Sequence, residues 1–273
     1  MAYETILYDV ADCICTITLN RPEKLNAWTG QMHLDLKDAM HKAGADADVR
    51  VIILTGAGRG FCAGADMGGL QAIGAGARAD RSSTVTANLP GASTLAEFRM
   101  NYSYFPAIPK FIIAAINGPA AGLGFVIPLY ADLRFAAESA VFTTAFAQRG
   151  LIAEHGVSWL LPRLVGLPAA MDLLCSARKF RAPEALAIGL VSRVIPDDKL
   201  MAETRAYATL LANTVSPRSV AVMKRQVWEA EFQTLAEATT QANYEMDLSF
   251  QTADFKEGVA HFLEKRAARF TGH

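Results

Sequence analysis

The chain of 273 residues has only four cysteines, five histidines and three tryptophans. Four thiols in this length do not make a disulfide framework; they fit a reducing compartment, and a cytoplasmic location is expected. Cys13 and Cys15 sit two apart, but no second Cys or His pair has finger spacing. Both read as small apolar side chains, and no metal site is expected. Charge of one sign is also missing. Lys plus Arg total 26 against 27 for Asp plus Glu, a formal net charge of −1. Such a balance excludes the broad basic surface of a nucleic-acid binder and a polybasic membrane patch. Long hydrophobic runs are absent too. The stretch Phe111–Ile116 is far short of the roughly 20 residues that span a bilayer. The first residues, Met-Ala-Tyr-Glu-Thr, carry no basic segment followed by an apolar one, so no leader is expected.

What the chain does have is apolar residues, 52% of the total, and 20 glycines. A core of ordinary size follows without staples. Residues 5–20 alternate and are β-branched, which predicts a hairpin turning near Ala11-Asp12. Thr29 is placed to cap a helix with Met32, Leu36, Ala39, Met40 and Ala43 on one face, closed by Gly44. Residues 49–55 and 110–116 read as buried strands. Residues 71–93 have little pattern and read as a mobile or weakly helical excursion. Helix is expected over 95–104 and 122–131, and strand over 133–137, 141–142 and 190–195. Pro196-Asp197-Asp198 opens a long helix, Ser216-Pro217 caps the next, and Asp254 with Glu257 has capping-box spacing. Mixed βα order giving way to helix predicts an α/β core over residues 1–196 and a helical part over 197–273.

Two loops stand out, residues 55–66 and 117–124, both glycine-rich and both following buried strands. Small residues let backbone approach a ligand, and a helix start presents free N–H groups. Neither loop has the Gly-x-Gly-x-x-Gly spacing of a dinucleotide site or the Gly-Lys-Ser/Thr of a P-loop.

The segments LNRPEKLNA (19–27), VIILTGAGRGFCAGADM (51–67), IAAINGPAAGLGF (113–125), ADLRFAAESAVF (131–142) and WLLPRLVG (159–166) together resemble the crotonase, or enoyl-CoA hydratase/isomerase, superfamily. ALAIGLVSRVIP (185–196) and FKEGVAHFLEKR (255–266) extend the likeness over nearly the whole chain. The resemblance implies a spiral of ββα units with a helical C-terminal oligomerisation region, assembled as a homotrimer or dimer of trimers. It implies an acyl-CoA thioester substrate, with coenzyme A part of that substrate and no separate cofactor. The shared chemistry is an enolate held by two backbone N–H groups, which fall here on Ala65 and Leu123; many members have Gly at the latter position. For coenzyme A the resemblance points to Lys24 and to Ala63, Gly64 and Asp66 around the first loop. Gly122 belongs to the second, and Phe262 with Lys265 contributes from the last helix. Lys265, Arg266 and Arg269 gather there as candidate phosphate cations.

Hydratases of the superfamily hold water between two glutamates. Those positions are Val126 and Phe146 here, and neither side chain can activate water. Both are expected to make the acyl pocket apolar. Glu154 stands where enoyl-CoA isomerases of the family carry their catalytic glutamate. A single base suits double-bond migration, taking the α-proton and returning it at the γ-carbon. Burial in an apolar pocket is expected to raise its pKa. The isomerase reading, with Glu154 as base, leads. A hydratase with atypical residues and a non-catalytic acyl-CoA-binding protein stand as alternatives. His155 adjoins Glu154, so its side chain is expected to point elsewhere. Asp132 reads as a buried structural carboxylate, Trp159 as core, Tyr102 and Tyr104 as packing or pocket wall, and Gln148 and Arg149 as surface residues.

Overall fold

A computed structural model describes residues 3–68, 71, 75, 89 and 91–273. The excursion expected over 71–93 lies almost wholly outside the described residues. Strands β1 (Ile6–Ala11) and β2 (Ile14–Leu19) form the predicted hairpin. Its turn is Asp12-Cys13, both at positive φ (54° and 61°). That is the two-residue geometry matching the twist of antiparallel strands. Cys13 is thus a turn residue, while Cys15 lies buried in β2. β2 then pairs in parallel with β3 (Val51–Gly56), β3 with β4 (Phe111–Ile116), β4 with β6 (Leu133–Ala137), and β6 with β9 (Arg193–Ile195). A second small sheet joins β5 (Ala120–Ala121), β7 (Val141–Thr143) and β8 (Phe180–Arg181). β3 and β4 are buried along nearly their whole length, which explains their unbroken apolar run.

Helix α1 (Gly30–Ala45) covers one face of the large sheet. The Thr29 hydroxyl accepts from the Met32 amide at 3.1 Å, and Met32, Leu36, Ala39, Met40 and Ala43 are buried. Burying a side chain such as Met32 or Leu36 is worth roughly 1.5–3 kcal/mol. Gly44 does not close the helix; it is itself buried, and a Cβ there would press Leu89 and Ile108. The helix expected over 95–104 is a short 3-10 turn, Ala96–Arg99, followed by irregular turns and a second at Phe105–Ala107. Pro106 at the start of the latter suits a turn rather than a long helix. The helix expected over 122–131 is one α-turn, α2 (Leu123–Val126), running into a 3-10 turn at Ile127–Tyr130. Pro128 removes the amide that would continue it.

Helices α3 (Val157–Val165), α4 (Leu167–Ser176) and α5 (Ala182–Ala187) precede β9, and past Ile195 helix dominates up to Glu264. Helix α6 (Leu200–Thr214) packs on the opposite face of the large sheet from the main core. Helix α7 (Pro217–Ala230) is capped by Ser216, as expected. The capping box is formed by Thr234 and Glu237 at the start of helix α8 (Leu235–Ser249), not by Asp254 and Glu257. Thr252 caps helix α9 (Ala253–Glu264), while Asp254 accepts from Ser216 and from the Thr271 and Gly272 amides. Among the described residues no helix is long and apolar enough to cross a membrane.

One buried ion pair fastens α7 to the sheet. Asp132, just before β6, accepts from Lys224 at 2.9 Å, the Ile112 amide at 2.7 Å and the Trp228 indole at 3.1 Å. Lys224 also donates to the Lys110 carbonyl at 2.9 Å. Burial pulls the lysine below its ordinary pKa, against the pull of Asp132. Removing one partner strands the other charge. Lys224→Met is therefore expected to cost about 3–5 kcal/mol in urea unfolding, with Asp132→Asn in the same chain recovering part of it. A loss within a few tenths of a kcal/mol would show that the pair does not hold the helix.

Candidate active site

β3 and β4 are parallel neighbours, so the loops leaving them emerge side by side at the same sheet edge. This is where parallel sheets place ligands. Asparagines tie the first loop down. Asn26 donates to the Ala57 and Gly60 carbonyls at 3.0 and 2.8 Å, and Asn117 donates to Gly58 at 3.0 Å. The two loops then pair with each other. Cys62 N–H donates to Pro119 O at 3.1 Å and Ala121 N–H to Cys62 O at 3.0 Å. A Cβ on Gly124 would lie 2.1 Å from the Cys62 carbonyl oxygen. Gly64 has φ +92°, and a Cβ there would lie 2.7 Å from the Ala121 carbonyl oxygen. Backbone therefore meets backbone at this seam.

The amides of Ala65 and Leu123 flank the seam. Several amides nearby are committed: Ala63 N–H to Leu25 O, Asp66 N–H to Trp28 O and Gly122 N–H to Thr143 O. Ala65 and Leu123 donate to no acceptor among the described residues. Leu123 opens α2, where a free amide is expected. Its side chain is buried, so the leucine serves packing while its amide stays available. Two unspent donors near one another suit a developing oxyanion. Cys62, three residues before Ala65, is fully buried, and burial pushes its thiol up to about 12. It is a packing residue, not a thiolate nucleophile.

Asp66 is drawn below the usual carboxylate range by the Gly68 amide and by Arg21, 3.2 Å away. It is a fixed anion that braces the loop. Lys24 lies exposed on the 3-10 turn Pro22–Lys24. Phe262 is 77% exposed on α9, and Lys265 follows as its left-handed cap. Arg266 does not join Lys265 as a free cation: it pairs with Glu257 and Glu264.

Glu154 lines a cavity of about 610 Å³ together with Tyr102, Tyr130 and Trp159. Its side chain keeps 34% exposure, so the full burial expected of it is not reached. The reason is local: the chain runs along the surface there, with Ile152 well exposed. Val126 and Phe146 do not line this cavity. Both are buried in the main core. The apolar wall comes instead from Phe98, Trp228 and Phe232, with Trp159 stacked on Phe232 at 5.3 Å. Sequence reasoning missed these three, although Phe98 and Tyr102 share helical spacing. Trp159 packs against the main core and also walls the cavity, and Tyr104, unlike Tyr102, is wholly buried. Gln148 and Arg149 are exposed, as expected. Glu97, on the exposed Ala96–Arg99 turn, is a second carboxylate at the cavity.

His155 does not point away. Its Nε2 is 3.6 Å from Glu154 Oε2, and its ring meets Tyr102 edge-on at 4.5 Å. Tyr102 in turn meets Trp28 at 6.2 Å. Trp28 bridges Ala65 backbone to backbone. A chain of rings thus links the carboxylate to the first glycine-rich loop, a link no short motif announced. Among the described residues no group of three or more His, Cys, Asp or Glu side chains is arranged to hold a metal.

Residues 9–273 match the sequence profile of the family described as enoyl-CoA hydratase/isomerase. The chain belongs to that family, and its architecture is the crotonase fold. It is 36% identical over 274 residues to 1,2-epoxyphenylacetyl-CoA isomerase of Escherichia coli, covering 98% of this chain and 99% of that protein. It is 38% identical over 272 residues to a probable enoyl-CoA hydratase of Rhodobacter capsulatus, covering all of both. Among solved structures, the enoyl-CoA hydratase of Bacillus anthracis superposes with a TM-score of 0.87 at 29% identity, over 99% of this chain and 100% of that one.

The seam makes a direct prediction. Gly64→Ala meets both a disfavoured φ and the Ala121 carbonyl. It is expected to lower stability by about 1–3 kcal/mol, read as a drop in Tm. An unchanged Tm would mean the loops are not in backbone contact there.

Proposed function

We propose that the protein is a coenzyme A thioester isomerase that moves a double bond from Δ3 to Δ2, with Glu154 as the proton-carrying base. The thioester oxygen accepts from the Ala65 and Leu123 amides. Glu154 takes the α-proton, and the resulting dienolate carries its charge on that oxygen. The protonated Glu154 then delivers the proton to the γ-carbon, leaving the conjugated 2-enoyl thioester. Lys24 with Ala63, Gly64 and Asp66, and Phe262 with Lys265, contact the coenzyme A part. Gly122 lets the second loop approach, and Val126 and Phe146 keep carboxylates out of the hydratase positions.

The observation that carries this reading is the ring chain that joins the cavity carboxylate Glu154, through His155, Tyr102 and Trp28, to the loop bearing the unspent Ala65 amide. The E. coli relative is itself named as an isomerase of a CoA thioester, which supports the class. The R. capsulatus relative is named as a probable hydratase, so hydration is the second reading. The assay offers 3-enoyl-CoA, 2-enoyl-CoA and 1,2-epoxyphenylacetyl-CoA. Conjugation of the 3-enoyl substrate is expected, with Glu154→Gln slower by about 10²–10⁴-fold. Fast hydration of 2-enoyl-CoA without isomerisation would favour the hydratase. Binding with no turnover would favour an acyl-CoA-binding protein.

The working unit in this reading is a trimer or dimer of trimers. The C-terminal helices leave Leu235 86% and Leu263 72% exposed, with Val227 and Phe250 also exposed. Apolar surface on this scale suits a second copy. Sedimentation should give three or six subunits; a stable monomer at micromolar concentration would refute the assembly.

A further inference from the structure

The geometry around Glu154 holds one group that the isomerase mechanism does not use, and the following inference rests on that mechanism. His155 occupies the left-handed region, φ 57°. In an extended chain, consecutive side chains diverge to opposite sides. Here the αL turn brings them together, Nε2 to Oε2 at 3.6 Å. That conformation costs a non-glycine residue roughly 1–2 kcal/mol, and the surroundings hold it. The Tyr130 hydroxyl donates to the His155 carbonyl at 2.7 Å. The imidazole sits between the Glu154 carboxylate and the Tyr102 ring, with His33 beyond Tyr102 at 5.1 Å. Tyr130 and the exposed Glu97 are the other titratable groups at this cavity.

We propose that His155 is a positioning residue for Glu154: its neutral imidazole donates Nε2–H to one carboxylate oxygen, and its protonation switches the base off. The donor fixes one oxygen and leaves the other for the substrate proton. The 3.6 Å separation must tighten when substrate enters, as catalytic hydrogen bonds in free enzymes commonly do. A protonated His155 would instead form an ion pair, stabilise the carboxylate and weaken it as a base. Burial favours the neutral ring and holds its pKa below the ordinary histidine value, while the Glu154 charge opposes that effect. The working ring is therefore the neutral imidazole. Activity should fall as pH drops through the titration of His155.

Three variants test this on the full chain: Glu154→Gln, His155→Gln and His155→Gly. Gln keeps a donor at similar reach but cannot titrate. Gly accepts φ 57° without strain, so the loop survives loss of the ring. In wild type the acid limb of kcat/KM for 3-enoyl-CoA should lie at higher pH than in His155→Gln. His155→Gly should lose kcat by about 10-fold, the worth of one hydrogen bond to a charged group, with KM within about 2-fold. Imidazole NMR gives an activity-free arm: His155 should titrate at lower pH in Glu154→Gln, where the nearby negative charge is gone. Identical acid limbs and kcat values in wild type and both His155 variants would overturn the inference while leaving Glu154 as base. An unchanged His155 titration in Glu154→Gln would overturn the pairing itself. Failure of wild type to isomerise would overturn the base assignment and this inference together.

Discussion

Two loops pressed backbone against backbone are the constraint on which the rest of the structure depends. Gly64 faces the Ala121 carbonyl, and Gly124 faces the Cys62 carbonyl, at distances no Cβ tolerates. That closeness needs two parallel strands in adjacent register, which β3 and β4 supply. It also needs asparagines to satisfy loop carbonyls that the sheet no longer reaches, the role of Asn26 and Asn117. The product is two amides, on Ala65 and Leu123, left unspent at one place. Preorganised donors are effective because they need no reorganisation when charge appears.

The carboxylate is held by different means. Glu154 lies on a surface stretch, and a chain of rings runs from His155 beside it through Tyr102 to Trp28. Trp28 pairs with Ala65, so the same loop that carries one unspent amide also anchors the far end of that chain. A disturbance at the rings would reach both halves of the site.

The sequence was most informative where backbone rules apply. The hairpin, the Thr29 cap, the Ser216 cap and the buried strands were legible from periodicity and capping chemistry alone. The two glycine-rich loops were legible because close approach leaves a trail of small residues. Less legible were features set by tertiary contact. Pro128 turned the end of one expected helix into a 3-10 turn, and the helix expected over 95–104 reached only Ala96–Arg99, irregular at Phe98. Asp254 was drawn to Ser216 and the C-terminal residues instead of capping its own helix. Val126 and Phe146 went to the core, and the cavity wall came from Phe98, Trp228 and Phe232, which are distant in sequence. The facing of His155 toward Glu154 depends on one positive φ, and no neighbouring residue type signals it. The segment over 71–93 remained patternless in sequence and lies almost wholly outside the described residues.

The central claim is that the two loop amides and Glu154 address the same thioester. A crystal structure with a slowly reacting 3-enoyl-CoA analogue tests it most directly. The account predicts the thioester oxygen about 2.7–3.1 Å from both the Ala65 and Leu123 nitrogens, with the Glu154 carboxylate beside the α-carbon. A thioester bound away from that seam, or a Glu154 carboxylate turned away from the α-carbon, would contradict it.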